Sequence, residues 1–270
     1  MKTLLLLLFG CTLAASPIRA ADLPPSTHSF VVIAHRGDRF AAHENTLTAL
    51  RQAADAGIDY VEVDVRRTAD GHYVLMHDST VDRMTDGQGK VSDLSLEQIR
   101  ALKVRDKKRP QVAADRVPTF EEALAAIKCR VHMYLDFKAG DRAVVTRMIR
   151  DAGMSRQILV YDEIESIAEW HRVAPELPLI VSPPETIKTA AELVKFVKEN
   201  KVEVLDGSWE PYTREMVEAA QAAGAKVWPD IQDGKETPEY FAKVAARGFS
   251  GAQSDHPRDL IEWLKVQKRR

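Results

Sequence analysis

Eight short apolar runs punctuate the chain: FVVIA (30–34), DYVEVDV (59–65), VHMYLDF (131–137), QILVY (157–161), PLIVS (178–182), VEVLDG (202–207), AKVWPD (225–230) and FSGAQSD (249–255). Most are rich in β-branched or aromatic residues and bounded by polar or turn-forming ones, so each reads as a buried strand. Between most of them, apolar positions recur with a helical period, as in NTLTALRQAADAG, TFEEALAAIK, TAAELVKFVKENK and TREMVEAAQAAGA. Strand alternating with helix predicts a parallel sheet clothed in helices. Eight such units, with strand starts about 20 to 30 residues apart in all cases but one, predict a closed (β/α)8 barrel of TIM type. The exception is the stretch from about 66 to 118, which reads as a small insertion after the second strand. It opens with Asp70-Gly71, a hairpin signal, and continues through glycine-rich turns to a short helix capped by Ser92 or Ser95. The barrel domain is expected over residues 28–268.

In such a barrel the working side chains sit at the C-terminal ends of the strands. The first strand ends in His35-Arg36, the second carries Glu62 and Asp64, the third barrel strand carries Asp136 with Lys138 two residues on, and the hairpin ends in His77-Asp78. Glu62 and Asp64 are two apart and so share a face, opposite Val61, Val63 and Val65. With the valines packed on helices, both carboxylates point into the barrel, where they repel unless a cation compensates them. Joined by Asp136, they form a hard, all-oxygen donor set suited to one divalent cation, Ca²⁺ or Mg²⁺. A salt-bridge network with Arg36, Arg66 or Lys138 is the alternative. His35 and His77 have the natural pKa for proton transfer near neutrality, and Arg36 with Lys138 suits a phosphate clamp. Neither a G-x-S-x-G elbow nor a Walker loop is present.

Composition changes the picture little. The chain has 270 residues, 45% hydrophobic and 29% charged, as befits a globular domain with a large core. A formal net charge of -2 gives no electrostatic footprint for nucleic acid. The N-terminus changes more. Met1-Lys2, the apolar run Leu4 to Ala15 and the small residues around Ala20 form a secretory signal peptide over 1–20. That run is too short to span a bilayer, which takes about 20 residues. Removing Lys2 and Arg19 takes the net charge from -2 to -4. A periplasmic or secreted protein is expected, with lipoprotein anchoring through Cys11 as an alternative suggested by LFGC, although Phe9 is unusual there. Cys129 is then left alone, without a disulfide partner, and is expected to be a small buried apolar residue. The oligomeric state stays open.

Taken in order, AHRG with ENT, VEVDVRRTADGHYVLMHD, VPTFEEAL, YLDFK and GFSGAQSDHP resemble the glycerophosphodiester phosphodiesterase family from about residue 31 to 257. The resemblance implies a barrel hydrolase that cleaves small glycerophosphodiesters to sn-glycerol 3-phosphate and an alcohol. It implies His35 and His77 as the acid–base pair, Arg36, Lys138 and Trp228 on the substrate and its phosphate, Glu62, Asp64 and Asp136 on the metal, and Glu44 in support. Two departures stand out. Asp136 replaces the family's usual glutamate, and Trp228 leads into Pro229-Asp230 where the family often bears an asparagine. Asp230 would disfavour acidic leaving groups or attract cationic ones such as choline. No cluster of polar residues in the sequence points to dedicated recognition of the alcohol half. Two other readings compete. A phospholipase C- or D-like barrel acting on intact lipid would need an exposed apolar loop, which the polar insertion does not offer. A non-catalytic periplasmic binding protein would have no use for two histidines placed for proton transfer.

Overall fold

The computed structural model describes residues 21–232 and 236–270. Each apolar run contributes a strand: β1 (Val31–Ala34), β2 (Tyr60–Arg67), then, after the hairpin strand β3 (Tyr73–Leu75), β4 (His132–Phe137), β5 (Ile158–Tyr161), β6 (Leu179–Val181), β7 (Val204–Leu205), β8 (Lys226–Val227) and β9 (Gly251–Ser254). Eight of them pair in parallel in the order β8-β7-β6-β5-β4-β2-β1-β9. The ring is brought nearly to closure between β8 and β9, where Gln253 N donates to Pro229 O and Ile231 N to Gln253 O, both at 3.0 Å. The fold is a (β/α)8 barrel.

The helices follow from their caps and apolar faces: α1 (Leu47–Asp55), α2 (Leu96–Ala101), α3 (Phe120–Ile127), α4 (Arg142–Asp151), α5 (Ile167–Val173), α6 (Ala190–Asn200), α7 (Arg214–Ala222), α8 (Pro238–Ala245) and α9 (Pro257–Val266). Thr119 and Thr189 close reciprocal capping boxes with Glu122 and Glu192, satisfying backbone donors that a helix start leaves unpaired. The alternation of each strand then sorts its side chains. Val61, Val63 and Val65 pack outward with Leu50, Ala53 and Leu124 of the helices. Ile33, Tyr60, Tyr134, Leu159, Ile180, Val204 and Trp228 fill the barrel itself. A slip of one residue in β2 would carry its acids to the apolar side, so burial of the valines fixes where the carboxylates go.

The segment after β2 is a lobe with its own small core of Val74, Met76, Val81, Met84, Ile99 and Val104. β2 runs two residues beyond Val65 because Arg66 and Arg67 pair with Val74 and Tyr73 of β3. Ser95 caps α2, while Ser92 lies in the preceding 3₁₀ turn. The expectation for Cys129 is corrected: it is exposed. It occupies the turn between α3 and β4 with φ 61°, which carries its side chain away from the core that flanks it. The leader 1–20 and Cys11 lie outside the described residues. Among the described residues, no helix is long and apolar enough to cross a membrane. At the N-terminal end of the barrel, residues 21–25 cross the strand starts. Leu23 packs on the interior cluster, Pro24 O accepts from the Tyr60 hydroxyl at 3.3 Å, and Pro25 O lies 2.8 Å from His132 Nε2.

Candidate active site

The chain leaves β1 through two residues in the left-handed region, Arg36 (φ 55°) and Gly37 (φ 90°). A Cβ on residue 37 would come within 2.7 Å of the Ala49 Cβ, so only glycine lets α1 pack here. Arg36 has no such freedom, and its conformation is held by partners. Its N–H donates to Glu62 Oε2 at 2.7 Å, and its carbonyl accepts from Asn45 N at 2.9 Å. Asn45, also left-handed at φ 54°, grips Asp64 twice: Nδ2 donates to Oδ2 at 2.7 Å and Oδ1 accepts from the Asp64 N–H at 3.1 Å. The HRG and ENT segments therefore act together, fixing the arginine and the β2 acids against each other.

Asp64 and Asp136 are direct partners in the β2–β4 ladder, and Glu62 lies one step deeper on the same face. An oxygen from each of Glu62, Asp64 and Asp136 lies within 4.8 Å of the others. Burial, then the neighbouring charges of Asp64 and Asp136, push the Glu62 carboxyl well above the usual range. Asp136 is raised to about 7, mainly by burial, even though Lys138 opposes the shift. Lys138 Nζ sits 2.5 Å from Asp136 Oδ2 and 3.4 Å from Asp64 Oδ1. Asp64 Oδ1 is buried with no hydrogen-bond partner among the described residues. Crowded negative charge that Lys138 and Arg36 leave under-compensated, with a buried oxygen lacking a hydrogen bond in its midst, fits a hard divalent cation.

Flanking the acids are two histidine–aspartate pairs. His35 Nδ1 is 2.6 Å from Asp255 Oδ1. Burial would raise Asp255, but the His35 hydrogen bond and the Arg39 charge bring it down to about 2. His77 Nδ1 is 2.8 Å from Asp78 Oδ1, Arg83 Nε donates to Asp78 Oδ2 at 2.7 Å, and Arg66 donates to the His77 carbonyl. A carboxylate on Nδ1 fixes the N–H there and leaves Nε2 as the nitrogen for chemistry. Glu44 ties the two sides together, accepting from Arg36 Nη1 at 3.1 Å and Arg83 Nη2 at 2.6 Å. Its burial alone would raise it, yet these two arginines hold it below the usual range.

A pocket of about 270 Å³ joins His35, Arg36, Glu62, Asp64, His77, Asp136 and Lys138. Its far wall comes from β7 to β9; the sequence pointed to Asp230 there, but Asp206 and Gln253 were missed. Tyr134 donates to Asp206 Oδ2 at 2.5 Å, and Gln253 and Gln232 donate to Asp230 Oδ1 at 2.6 and 3.2 Å. Asp206 Oδ1 and Gln253 Oε1 are buried without hydrogen-bond partners among the described residues. Burial first, and Asp230 next, push Asp206 well above the usual range. Trp228 is a correction: it does not line this pocket. Its indole is 3% exposed, donates to Ser250 Oγ at 3.1 Å and packs on Tyr60. It faces inward as expected but toward the N-terminal half, and strand alternation brings Asp230 to the mouth instead. Glu44 also stays outside the pocket, behind Arg36. Asn45, Asp78, Arg83 and Asp255 were missed as well, although three of them stand inside motifs already singled out: ENT, MHD and QSDHP.

A nearly closed barrel with an acid cluster, two histidines and cationic side chains at the C-terminal end of its strands defines a barrel hydrolase of the phosphodiester-cleaving kind. The family model for the glycerophosphoryl diester phosphodiesterase family matches residues 35–259, and the chain belongs to that family, whose members hydrolyse glycerophosphodiesters. It is 28% identical over 243 residues to a glycerophosphodiester phosphodiesterase of Caldanaerobacter subterraneus subsp. tengcongensis, spanning 87% of this chain and 98% of that protein. It is 50% identical over 95 residues to human glycerophosphodiester phosphodiesterase 1, a stretch covering 34% of this chain and 29% of the human protein. Among solved structures, a glycerophosphodiester phosphodiesterase from Agrobacterium tumefaciens superposes with a TM-score of 0.76 at 24% identity, covering 86% of this chain and 99% of that one. An Oleispira antarctica phosphodiesterase, solved with the product sn-glycerol-3-phosphate, superposes with a TM-score of 0.71 at 23% identity, covering 87% and 96%.

Proposed function

We propose that this protein is an exported, metal-dependent phosphodiesterase that converts glycerophosphodiesters to sn-glycerol 3-phosphate and an alcohol, with His35 and His77 exchanging the protons. The observation that carries the reading is one pocket lined by two histidines, each backed by an aspartate, with an oxygen triad and two cations. Arg36 and Lys138 bind the phosphate, whose charge draws Lys138 away from its carboxylates. Glu62, Asp64 and Asp136 would hold a divalent cation, which would supply positive charge to offset the negative charge of the reacting phosphate. One imidazole takes a proton at Nε2 from the attacking water, whose oxygen forms the new bond to phosphorus. The other gives its proton to the alcohol oxygen as the bond from phosphorus to that oxygen breaks. Asp255 and Asp78 keep each ring in the required tautomer and stabilise it when charged. The product bound by the Oleispira neighbour supports the same product here.

The far wall offers acceptors, namely Asp206 Oδ1, Asp230 and Gln253 Oε1, and so suits the donors of a glycerol or a neutral or cationic head group. The pocket is small for a ligand site and supports a compact soluble diester over an intact lipid. Among the described residues the large exposed apolar side chains are Phe40 and Val266, too few for a bilayer-docking surface. Incubating purified protein with glycerophosphocholine, with Mg²⁺ or Ca²⁺ and after exhaustive chelation, and measuring glycerol 3-phosphate tests the reading. No product under any condition overturns it, and full activity after chelation removes the metal from it. Export is checked by fractionation, where full-length chain with Met1 intact in the cytosol would overturn it.

A further inference from the structure

The end of the barrel away from the pocket holds a carboxylate that the reaction does not use. Glu203, one residue ahead of β7, is 8% exposed. One of its oxygens accepts from Leu179 N at 2.7 Å and the other from Ala21 N at 3.1 Å. Burial pushes its carboxyl up to about 7 against these backbone N–H groups, and no side-chain charge contributes. The charged or titratable groups on the elements around it are Lys201 after α6 and Lys226 of β8, both exposed, His132 of β4, whose Nε2 is on Pro25 O, and Asp22 in the crossing segment itself. A buried acid without a countercharge is costly, and the residue supplying its second contact is the first one after the predicted leader.

We propose that the leader is removed by hydrolysis of the Ala20–Ala21 peptide bond and that the α-ammonium so created docks on Glu203 as a buried ion pair. This rests on the export reading above. Hydrolysis adds one water across the bond: Ala20 leaves with the new carboxylate and Ala21 keeps the nitrogen, which takes up protons to become an ammonium. That nitrogen is already within hydrogen-bonding distance of Glu203, so the charge arrives where a countercharge is missing, without movement of the chain. Small residues on both sides of the bond suit a leader-removing endopeptidase. Cleavage one residue later would leave Asp22 first and remove the contact, so the geometry selects one of two adjacent alanines. The pair reinforces the hold on Leu23, Pro24 and Pro25 across the strand starts, so that processing strengthens the closure of this end.

The signs of the pH dependence separate the paired from the unpaired state. Without the ammonium, an acid raised from about 4.5 to about 7 on folding loses stability as pH rises between those values. With it, the folded α-amine lies above its unfolded value of about 8, so the pair's contribution is full below that pH and is lost on going further alkaline. The exported protein is purified for N-terminal sequencing and intact mass, and its melting temperature is followed from pH 5 to 10. It is compared with a chain carrying Gly-Ser ahead of Ala21, and with Glu203→Gln in both backgrounds. The expected mature chain begins at Ala21, melts roughly 2–4 °C above the extended chain near pH 7, and loses that difference both above about pH 10 and in the Glu203→Gln background. Turnover is expected to be the same in all four, because Glu203 lies at the far end of the barrel. A chain that retains Met1 fails the export reading, a start at any other residue overturns the cleavage site, and a start at Ala21 with equal melting overturns the docking. The extended chain keeps every native side chain, so the test stands even if Glu203→Gln folds poorly.

Discussion

The two ends of the barrel differ in how completely their buried polar groups are hydrogen-bonded. At the N-terminal end Asp59 accepts from Val32 N at 2.8 Å, lies 2.6 Å from His28 Nδ1 and is paired with Arg270, so both its oxygens are used. At the mouth Glu62, Asp64, Asp136, Asp206 and Asp230 crowd one pocket with few cations among them. Buried polar atoms without hydrogen bonds fall mainly on the mouth and the loop leaving β1: Arg36 Nε, Arg39 Nε, both His43 nitrogens, Asp64 Oδ1, Asp206 Oδ1 and Gln253 Oε1, against His132 Nδ1 alone at the other end among the described residues. Structural sites settle their polar groups internally. A working site leaves them unsettled for a ligand to complete, and that contrast distinguishes the two ends better than the amount of charge does.

Substitutions at the two ends should therefore part activity from stability in opposite directions. The largest effect is expected for Glu62→Gln or Asp64→Asn, which should abolish turnover while the metal-free protein melts no lower than the parent, since a like charge has been removed. A fall in melting temperature with activity retained would make the triad a structural network. His35→Ala and His77→Ala should each cost about 10²- to 10⁴-fold in kcat, and the double variant should be little worse than either single one. Additive losses, measured by single-turnover kinetics, would divide the pair. At the other end Arg270→Ala leaves Asp59 without its guanidinium and should cost about 3–5 kcal/mol of stability, the scale for breaking a buried pair, with kcat at a permissive temperature unchanged. Urea denaturation and assay of the same preparation check both halves.

A smaller effect is expected at the far wall. Asp230→Asn should raise kcat/KM for diesters with an anionic alcohol, relative to choline, by up to ~10-fold, or about 1.4 kcal/mol. An unchanged ratio would remove Asp230 from head-group selection. The smallest concerns Asp255. Its carboxyl is held down at about 2 when folded, against about 3.9 unfolded, so its stabilising contribution is full above the unfolded value and is lost as pH falls through about 2. Asp255→Asn should flatten that part of the acid-denaturation profile, and a profile unchanged from the parent would mean that the contacts with His35 and Arg39 contribute nothing.

What could be read from the sequence follows from strand periodicity. The alternation in VEVDV assigns Val61, Val63 and Val65 to the helices and Glu62 and Asp64 to the interior, and β2 obeys it. Trp228 was expected at the substrate from the resemblance alone and lies beneath the pocket, a depth in the barrel that strand periodicity does not report either. Of the far wall only Asp230 was singled out, because Asp206 and Gln253 join it only through the neighbouring placement of β7, β8 and β9, with nothing local to connect them. Asp255 stood in a legible motif, yet its partner is chosen by the pairing of Ala34 with Ser254, a contact across almost the whole chain. Cys129 was misjudged because a left-handed turn, not its polarity, decides its exposure.

That pairing of the first barrel strand with the last has a consequence for the order in which the molecule comes into being. His35 and Asp255 are separated by 220 positions, and β1 has its second neighbour only when β9 exists. A chain made from its N-terminus holds Arg36, Glu62, His77 and Asp136 long before the ring can close around them, and His35 stays without its aspartate until the end. Copies truncated anywhere short of β9 lack the seam and the aspartate beside His35 together, so on the proposed mechanism incomplete synthesis yields inert fragments rather than a partly competent hydrolase.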